Sequence, residues 1–161
     1  MNGIREVPLL LGLLIIVPMV VMAQDCADYH RLGDCMMDRE RGYEIYSQSR
    51  SVGMNPTDSV QFNIVFYGQK DYIISLCTHA KLYPIHFVLI DQDSGDILYD
   101  NVNDGYIESL GIGFDVTKSL TIQVDVLARK ASEEEITGYV GCLGLLIQYR
   151  NYSGRKINLQ M

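Results

Sequence analysis

Alternation of apolar and polar side chains across residues 60–101 is the feature that most constrains the fold of this chain. In the segment 60–66 every second side chain is apolar, namely Val60, Phe62, Ile64 and Phe66. A period of two over such a segment indicates a β-strand with one buried face. Segments 71–77 and 85–91 continue the pattern; a turn with Gly68 precedes the first, the loop 78–84 joins the two, and a turn with Gly95 follows the second. The run therefore predicts the centre of an antiparallel β-sandwich.

Further strands are predicted on both sides of this run. The pattern recurs in residues 43–51, 96–100, 112–116, 119–127 and 138–149, and no segment has a convincing helical period. The charged segment 130–137 is expected to form a loop, or one turn of helix capped by Ser132. About eight short strands, with turns roughly every 8–12 residues, are typical of a sandwich or jelly roll. The predicted fold class is therefore all-β, an antiparallel β-sandwich or jelly roll.

The start of the chain is expected to be an export signal. Residues 9–22 are apolar apart from Gly12 and Pro18, and Ala23 then offers a small residue at a position that a signal peptidase reads. The alternative is an uncleaved membrane anchor, but the apolar run is short for a bilayer core of about 30 Å. We therefore expect a signal peptide at 1–23, an N-terminal arm at 24–42, a sandwich domain at 43–150 and a tail at 151–161.

Charge limits the partners that the chain is expected to bind. The formal net charge is −7, and it stays at −7 without residues 1–23, because that segment holds one base, Arg5, and one acid, Glu6. Nucleic acids and anionic membrane surfaces both require clustered Lys and Arg, so neither is an expected partner.

The four cysteines all follow the expected signal, and an exported chain with an even number of cysteines is a candidate for disulfides. We expect the pairs Cys26–Cys35 and Cys77–Cys142. The first would close a short loop in the polar arm, which is expected to be irregular and held in place by this bridge. The second would join two apolar segments that are far apart in the chain. The alternative for Cys77 and Cys142 is a pair of buried free thiols.

An acidic stretch after the segment 85–91 is the best candidate site. Calcium takes about six to eight oxygen ligands, which loops rich in Asp and Asn supply. Asp91 and Asp93 are placed as at the start of an EF-hand loop, although Val102 stands where the bidentate glutamate is required. The alternative is that these side chains stabilise turns. The candidate calcium or ligand residues are Asp91, Asp93, Asp96, Asp100, Asn101, Asn103 and Asp104; no other cofactor is expected.

Tyrosine offers a second candidate contact surface, because the chain has 11 tyrosines and no tryptophan. Tyrosines at strand ends can stack on a sugar or present an amphipathic contact. The alternative is partial burial at the rims of the sandwich. The candidate contact residues are Tyr67, Tyr83, Tyr99 and Tyr106.

No catalytic set is recognisable in the sequence. The three histidines, His30, His79 and His86, have no Ser or Cys partner in a nucleophile motif such as GxSxG. A zinc site can be drawn from Cys77 and His79 with Cys142 and His86, but His79 stands beyond the predicted strand end, and export favours a disulfide over thiolates. We therefore predict that the chain is not an enzyme, and we assign no firm metal site.

A resemblance to a known family rests on four stretches, at residues 60–66, 71–76, 87–95 and 120–126. Their order resembles the bacterial pre-peptidase C-terminal domain and related jelly rolls. The resemblance implies a non-catalytic module that is usually attached to a larger enzyme.

A second resemblance extends over nearly all of the chain after the expected signal. It rests on the N-terminal cysteine pair, QSRS at residues 48–51, YDN at 99–101 and GCxGxLI at 141–147. These elements are similar to those of a group of uncharacterised secreted proteins of Bacteroidetes, which have no established activity.

Together these observations predict an exported sandwich, in the periplasm or at the cell surface, with a structural or protein-interaction role. The expected partner is an envelope or secreted protein. The alternative is a carbohydrate-binding module that uses the loop tyrosines and calcium. A hydrolase with an unfamiliar site is the third interpretation.

Overall fold

A computed structural model describes residues 26–32, 35–127 and 139–151. These residues form nine β-strands, a four-residue α-helix and two 3₁₀ helices. The strands are β1 (Glu44–Ile45), β2 (Arg50–Met54), β3 (Ser59–Phe66), β4 (Lys70–Thr78), β5 (Ile85–Asp91), β6 (Ile97–Asp100), β7 (Ser109–Phe114), β8 (Lys118–Val126) and β9 (Gly141–Asn151). The helices are α1 (Tyr29–Leu32) and the 3₁₀ helices Ala80–Leu82 and Asn101–Asp104.

The strands form two antiparallel sheets. The first has the order β1-β9-β4-β7, with β2 also paired to β9, and the second has the order β3-β8-β5-β6. This arrangement confirms the predicted all-β sandwich. Within the described residues no helix is long and apolar enough to cross a bilayer.

The core lies between the sheets because alternate side chains of each strand point to one face. In β8 the inward set is Leu120, Ile122, Val124 and Val126, all at most 3% exposed. Their partners across β3 and β5 include Phe62, Ile64 and Phe87, which are at most 4% exposed. The predicted inward sets of the segments 60–66, 71–77 and 119–127 therefore form the core, except that Val60 is only half-buried.

Several predicted boundaries differ from those of the structure. The expected strand at 43–51 is two strands, because the chain turns between them, where the Ser49 N–H donates to the Tyr46 carbonyl at 3.0 Å. Strand β7 begins at Ser109 rather than at residue 112, and β9 continues to Asn151. The segment 130–137, the expected signal peptide at 1–23 and residues 152–161 lie outside the described residues.

The predicted disulfide pairing is wrong. The bonds are Cys26–Cys142 and Cys35–Cys77, so each arm cysteine joins a cysteine of the first sheet. Cys77 lies opposite Gly144 in the β4–β9 register, and Cys142 stands two residues before Gly144. Both sheet cysteines therefore point to the outer face of the sheet, and the arm lies across that face.

The arm packs closely on the sheet because Gly144 has no side chain. A Cβ atom at this position would lie 2.8 Å from both His30 Cα and Cys77 Sγ. His30 is 5% exposed, and its Nδ1 lies 2.8 Å from Ser51 Oγ of β2. Further along the arm, the Asp38 N–H donates to Gln148 Oε1 of β9 at 3.0 Å. The arm thus covers the outer face of the first sheet.

Candidate interaction surface

The first half of the predicted acidic site is an ordered turn. Asp91 is 3% exposed and accepts hydrogen bonds from Lys118 Nζ at 2.7 Å and from the Asp93 N–H at 2.9 Å. These two bonds, the lysine first, lower the pKa of the Asp91 carboxyl below its ordinary value. The Asp93 and Asp96 side chains are exposed. The fold therefore uses Asp91 to close the turn between β5 and β6.

The second half of the acidic site holds the chain after β6. Asp100 accepts a hydrogen bond from the Val102 N–H at 3.0 Å and so caps the 3₁₀ helix Asn101–Asp104. This bond is the main cause that lowers the pKa of the Asp100 carboxyl. Asp104, which is exposed, accepts from the Tyr99 hydroxyl at 2.9 Å, and Asn103 is exposed.

Asn101 is fully buried and bonds three backbone groups. Its Oδ1 accepts from the Phe87 N–H at 2.9 Å, and its Nδ2 donates to the carbonyls of Ile85 at 3.0 Å and Ile107 at 3.1 Å. One amide thus joins β5 to the segment that leads into β7. Asn101 is a structural clamp, whereas its sequence context indicated only a candidate ligand.

The two halves lie at opposite ends of β6 and do not form one cage. Within the described ranges, no group of three or more His, Cys, Asp and Glu side chains is arranged to hold a metal ion. The bonds of Asp91, Asp100, Asn101 and Asp104 match the turn-stabilising alternative, and calcium binding stays a prediction.

The four candidate tyrosines do not form one platform. Tyr67 is 53% exposed in the turn after β3, at the end of the sandwich opposite to Tyr83, which precedes β5. The Tyr83 hydroxyl donates to Glu108 Oε2 at 3.2 Å, and burial, followed by the charge of Glu108, raises the pKa of Tyr83 to about 12. The ring of Tyr99 packs on Phe87, with 5.4 Å between centroids, and burial is the first cause that raises the pKa of Tyr99.

Tyr106 lies at the same edge as Tyr99 and has a left-handed backbone, with φ of 65°. Its ring stands edge-on to the His86 ring, at 6.4 Å between centroids. Tyr83, Tyr99 and Tyr106 therefore surround the segment 101–108, each in contact with another side chain. Carbohydrate stacking by these rings stays a prediction.

His86 lies between two carboxylates on the outer face of the second sheet. Its Nε2 is 3.0 Å from Asp100 Oδ1, and its Nδ1 is 3.2 Å from Asp125 Oδ2. Asp125 also accepts from Gln123 Nε2, and Gln61 Nε2 donates to Gln123 Oε1 at 3.0 Å. A continuous row of polar side chains thus crosses all four strands. Sequence reasoning missed this row because its members come from four separate segments whose register the sequence does not show.

Exposed apolar side chains are also frequent in β6 and in the connection that follows it. Four of them lie between residues 97 and 107, namely Ile97 at 63%, Leu98 at 45%, Val102 at 45% and Ile107 at 43% exposure. We call these four residues the apolar edge. β6 is the last strand of its sheet, and the chain passes from it through the 3₁₀ helix to β7, the last strand of the other sheet. The apolar edge therefore runs along one side of the sandwich.

The opposite side of the sandwich is closed by side chains. The Val65 N–H of edge strand β3 donates to Gln48 Oε1 at 3.2 Å, and the Val65 carbonyl accepts from the Tyr46 hydroxyl at 2.6 Å. Side chains that satisfy edge backbone groups in this way hinder pairing with another chain at that position. The two sides of the sandwich thus differ in how their strand edges are protected.

A groove of about 530 Å³ lies between the arm and β7 on the outer face of the first sheet. Its floor is formed by Ile73 and Ser109, and Met36 and Met37 form part of its wall. Its charged residues are two acids and two bases, Asp38, Arg39, Glu40 and Arg41, and Arg41 forms an ion pair with Asp38. The groove is a concavity directly beside the last strand of this sheet.

No family model matches the sequence, and no curated protein matches it. A solved structure that is similar in its chain path is "Crystal structure of Aeromonas hydrophila PliG, a periplasmic lysozyme inhibitor of g-type lysozyme". The two chains are 10% identical with a TM-score of 0.44, and the match covers 71% of this chain and 93% of PliG. A likeness at this TM-score transfers neither activity nor partner. The resemblances to the pre-peptidase C-terminal domain and to the Bacteroidetes proteins stay predictions.

Proposed function

We propose that this protein is an exported, non-catalytic β-sandwich that binds a partner protein of the cell envelope or its surroundings. The contact would be made by the side of the sandwich that carries the apolar edge. The observation that carries the proposal is that Ile97, Leu98, Val102 and Ile107, each at least 43% exposed, all come from the short segment 97–107 at the edge strand β6 and the connection that follows it. Single exposed apolar residues are ordinary on a protein surface, whereas several of them in one region favour a contact site.

Export is supported by the cysteines. All four are paired in disulfides, and disulfides persist in oxidising compartments such as the periplasm and the cell exterior. The bridges also fix the arm to the sheet, which suits a protein that must stay folded outside the cell.

A non-catalytic role is supported by the histidines, whose contacts hold the fold together. His86 bridges two carboxylates, and the His79 Nδ1 accepts from the Cys142 N–H at 3.4 Å. The His30–Ser51 pair is the arrangement nearest to a nucleophile and its base, but it lies where the arm packs on β2, and burial is the first cause that lowers the pKa of His30. Each pair connects two elements of the sandwich.

Cross-linking in the native envelope tests the proposal. We expect a reproducible protein partner for the natural chain and a strongly reduced yield for Leu98→Asp combined with Ile97→Ser. The matched control is Leu32→Ser, which alters an 84% exposed leucine of α1 on the arm and should leave the yield unchanged. Recovery of no partner, or equal yields from all three proteins, would reject the proposed function.

A further inference from the structure

We propose that the free edge of β7 binds an extended, Lys- or Arg-bearing strand of the partner protein, which adds to the first sheet as a new strand. This inference rests on the proposed function and names the binding mode and the chemistry of the partner. Strand addition draws affinity from main-chain hydrogen bonds and specificity from pockets that receive alternate side chains. β7 offers free main-chain groups, and its two faces offer room for alternate side chains.

The outer strands differ in how well they can receive another strand. β3 is closed at Val65 by Gln48 and Tyr46, and β6 has four residues and pairs with β5 through a register shift between Leu89 and Ile90. Bulges and short lengths protect an edge. β7 pairs with β4 in uninterrupted register over six residues, and no described strand pairs with its other side. Of β3, β6 and β7, β7 is therefore the one that combines regular pairing with a free side on which no described side chain caps the backbone.

The backbone groups at this edge can be assigned from the register. The Leu76 N–H donates to the Glu108 carbonyl at 2.8 Å, so the even-numbered residues of β7 bond to β4. Residues of an antiparallel strand alternate, so Ser109, Gly111 and Gly113 direct their N–H and C=O groups away from β4. Only Ser109 among them has a side chain, and a Cβ at Gly111 would have no atom within 4 Å. Gly111 and Gly113 therefore place no side chain beside an incoming backbone.

Both faces of the edge offer room for alternate side chains of the incoming strand. On the inner face Leu110, Ile112 and Phe114 are only half-buried, although they pack against the core. An incoming strand would cover their exposed parts. On the outer face the groove of about 530 Å³ begins at Ser109 and Ile73. The inner face of the edge is thus apolar, and the outer face is mixed, with Met36, Met37 and Ile73 beside charged residues.

The charges near β7 favour a positively charged partner strand. The segment 96–117, which contains β6 and β7, has five acidic residues and no Lys or Arg: Asp96, Asp100, Asp104, Glu108 and Asp115. Glu108 and Asp115 stand at the two ends of β7 and are both exposed. Lys70 is nearby, but its Nζ lies over the Tyr149 ring, 4.5 Å from the centroid, on the β9 side of β4. In the groove, Arg39 and Arg41 are balanced by Asp38 and Glu40. Opposite charges across an interface favour association, so a basic strand fits this edge.

Selection from a phage library of random twelve-residue peptides on the natural full chain tests the inference and does not require that the partner be identified. We expect enriched peptides in which apolar residues alternate with Lys or Arg. Hydrogen exchange then locates them on the natural protein. The amides of Ser109, Gly111 and Gly113 should slow by about tenfold or more when such a peptide binds, whereas those of Leu110 and Ile112 are already bonded to β4.

Two variants at one position provide the matched comparison. Gly111→Pro removes an N–H that faces the free edge, where proline is tolerated in a strand, and should weaken peptide binding by about tenfold. Gly111→Ala retains the N–H and enters open space, so it should bind as the natural protein does. Should Gly111→Pro fail to fold, the exchange measurement on the natural chain decides by itself.

Enriched peptides without basic residues would overturn the inference, and so would peptide binding that leaves the three amides of the free edge unchanged. An empty selection would overturn it as well. None of these results bears on the proposed function, which depends on partner recovery in the envelope. If a partner is recovered but the exchange of the Ser109, Gly111 and Gly113 amides does not change, the proposed function stands and this binding mode is rejected.

Discussion

Cys26, at the beginning of the arm, is bonded to Cys142 of β9, which lies 116 residues further along the chain. The bond encloses the loop closed by Cys35–Cys77, whose cysteines are separated by 42 residues. Cross-links that close long loops restrict the unfolded chain most, by about 4–5 kcal/mol for a loop near 100 residues in the chain-entropy model. The arm and sheet are therefore expected to unfold as one unit.

Peptide mapping without reduction checks the pairing directly. We expect one linked peptide pair that contains Cys26 and Cys142 and another that contains Cys35 and Cys77. The Cys26→Ser, Cys142→Ser double variant should lose roughly 2–5 kcal/mol of unfolding free energy in urea titration. A linked pair that contains Cys26 and Cys35 would contradict the structure.

A substitution at Gly144 tests the close packing of the arm on the first sheet. Gly144→Ala places a Cβ 2.8 Å from the backbone of His30, so either the arm or the strand must shift. We expect a loss of roughly 1–3 kcal/mol in unfolding free energy and faster hydrogen exchange in α1. Gly111→Ala, also in the first sheet but facing open space, is the control and should change stability by less than about 0.5 kcal/mol.

Asn101 tests the clamp between β5 and the segment leading to β7. Asn101→Ala leaves the Phe87 N–H and two carbonyls without their partner. Since each buried unsatisfied group costs about 1–3 kcal/mol, we expect a loss of at least about 2 kcal/mol, measured by urea unfolding. Asn103→Ala changes an exposed amide of the same 3₁₀ helix and should be close to neutral. Equal effects from the two variants would contradict the assigned role of Asn101.

The Asp91–Lys118 pair tests the acid dependence of stability. Lys118 and the backbone lower the folded-state pKa of Asp91, while an unfolded aspartate titrates near about 3.9. The stabilisation is therefore fully present above pH of about 3.9 and is lost as the pH falls towards the lower folded-state pKa. Lys118→Met should reduce this acid-dependent loss in urea titrations from pH 2 to 6. Asp93→Asn, which alters an exposed side chain of the same turn, should retain it; an unchanged acid limb in Lys118→Met would contradict the pairing.

Sequence patterns predicted the strands best where one face is buried. The segments 60–66, 71–77 and 119–127 alternate because their inward side chains meet the other sheet, and the corresponding strands are β3, β4 and β8. The prediction was less accurate for 43–51 and 112–116. Edge strands bury less of each residue, so their sequence pattern indicates less clearly where they begin and end.

Ligand binding by the candidate site residues stays a prediction. The acidic residues and tyrosines between 91 and 106 do border the side of the sandwich proposed for binding, although their hydroxyl and carboxyl groups mostly bond to neighbouring residues. The importance of β7 was not predicted, because a strand with Gly111 and Gly113 shows little alternation. Its open edge is visible only when the order of the strands is known.

The sequence by itself determined the two-faced strands and hence the sandwich, since period-two alternation is a local property that each segment carries alone. It also determined the acidic character of the segment 96–117. The tertiary structure decided which cysteines meet, which residues bond across strands and which edge stays open. Those outcomes depend on register and on the path of the arm over the outer face, where residues as distant as Cys26 and Cys142 come together.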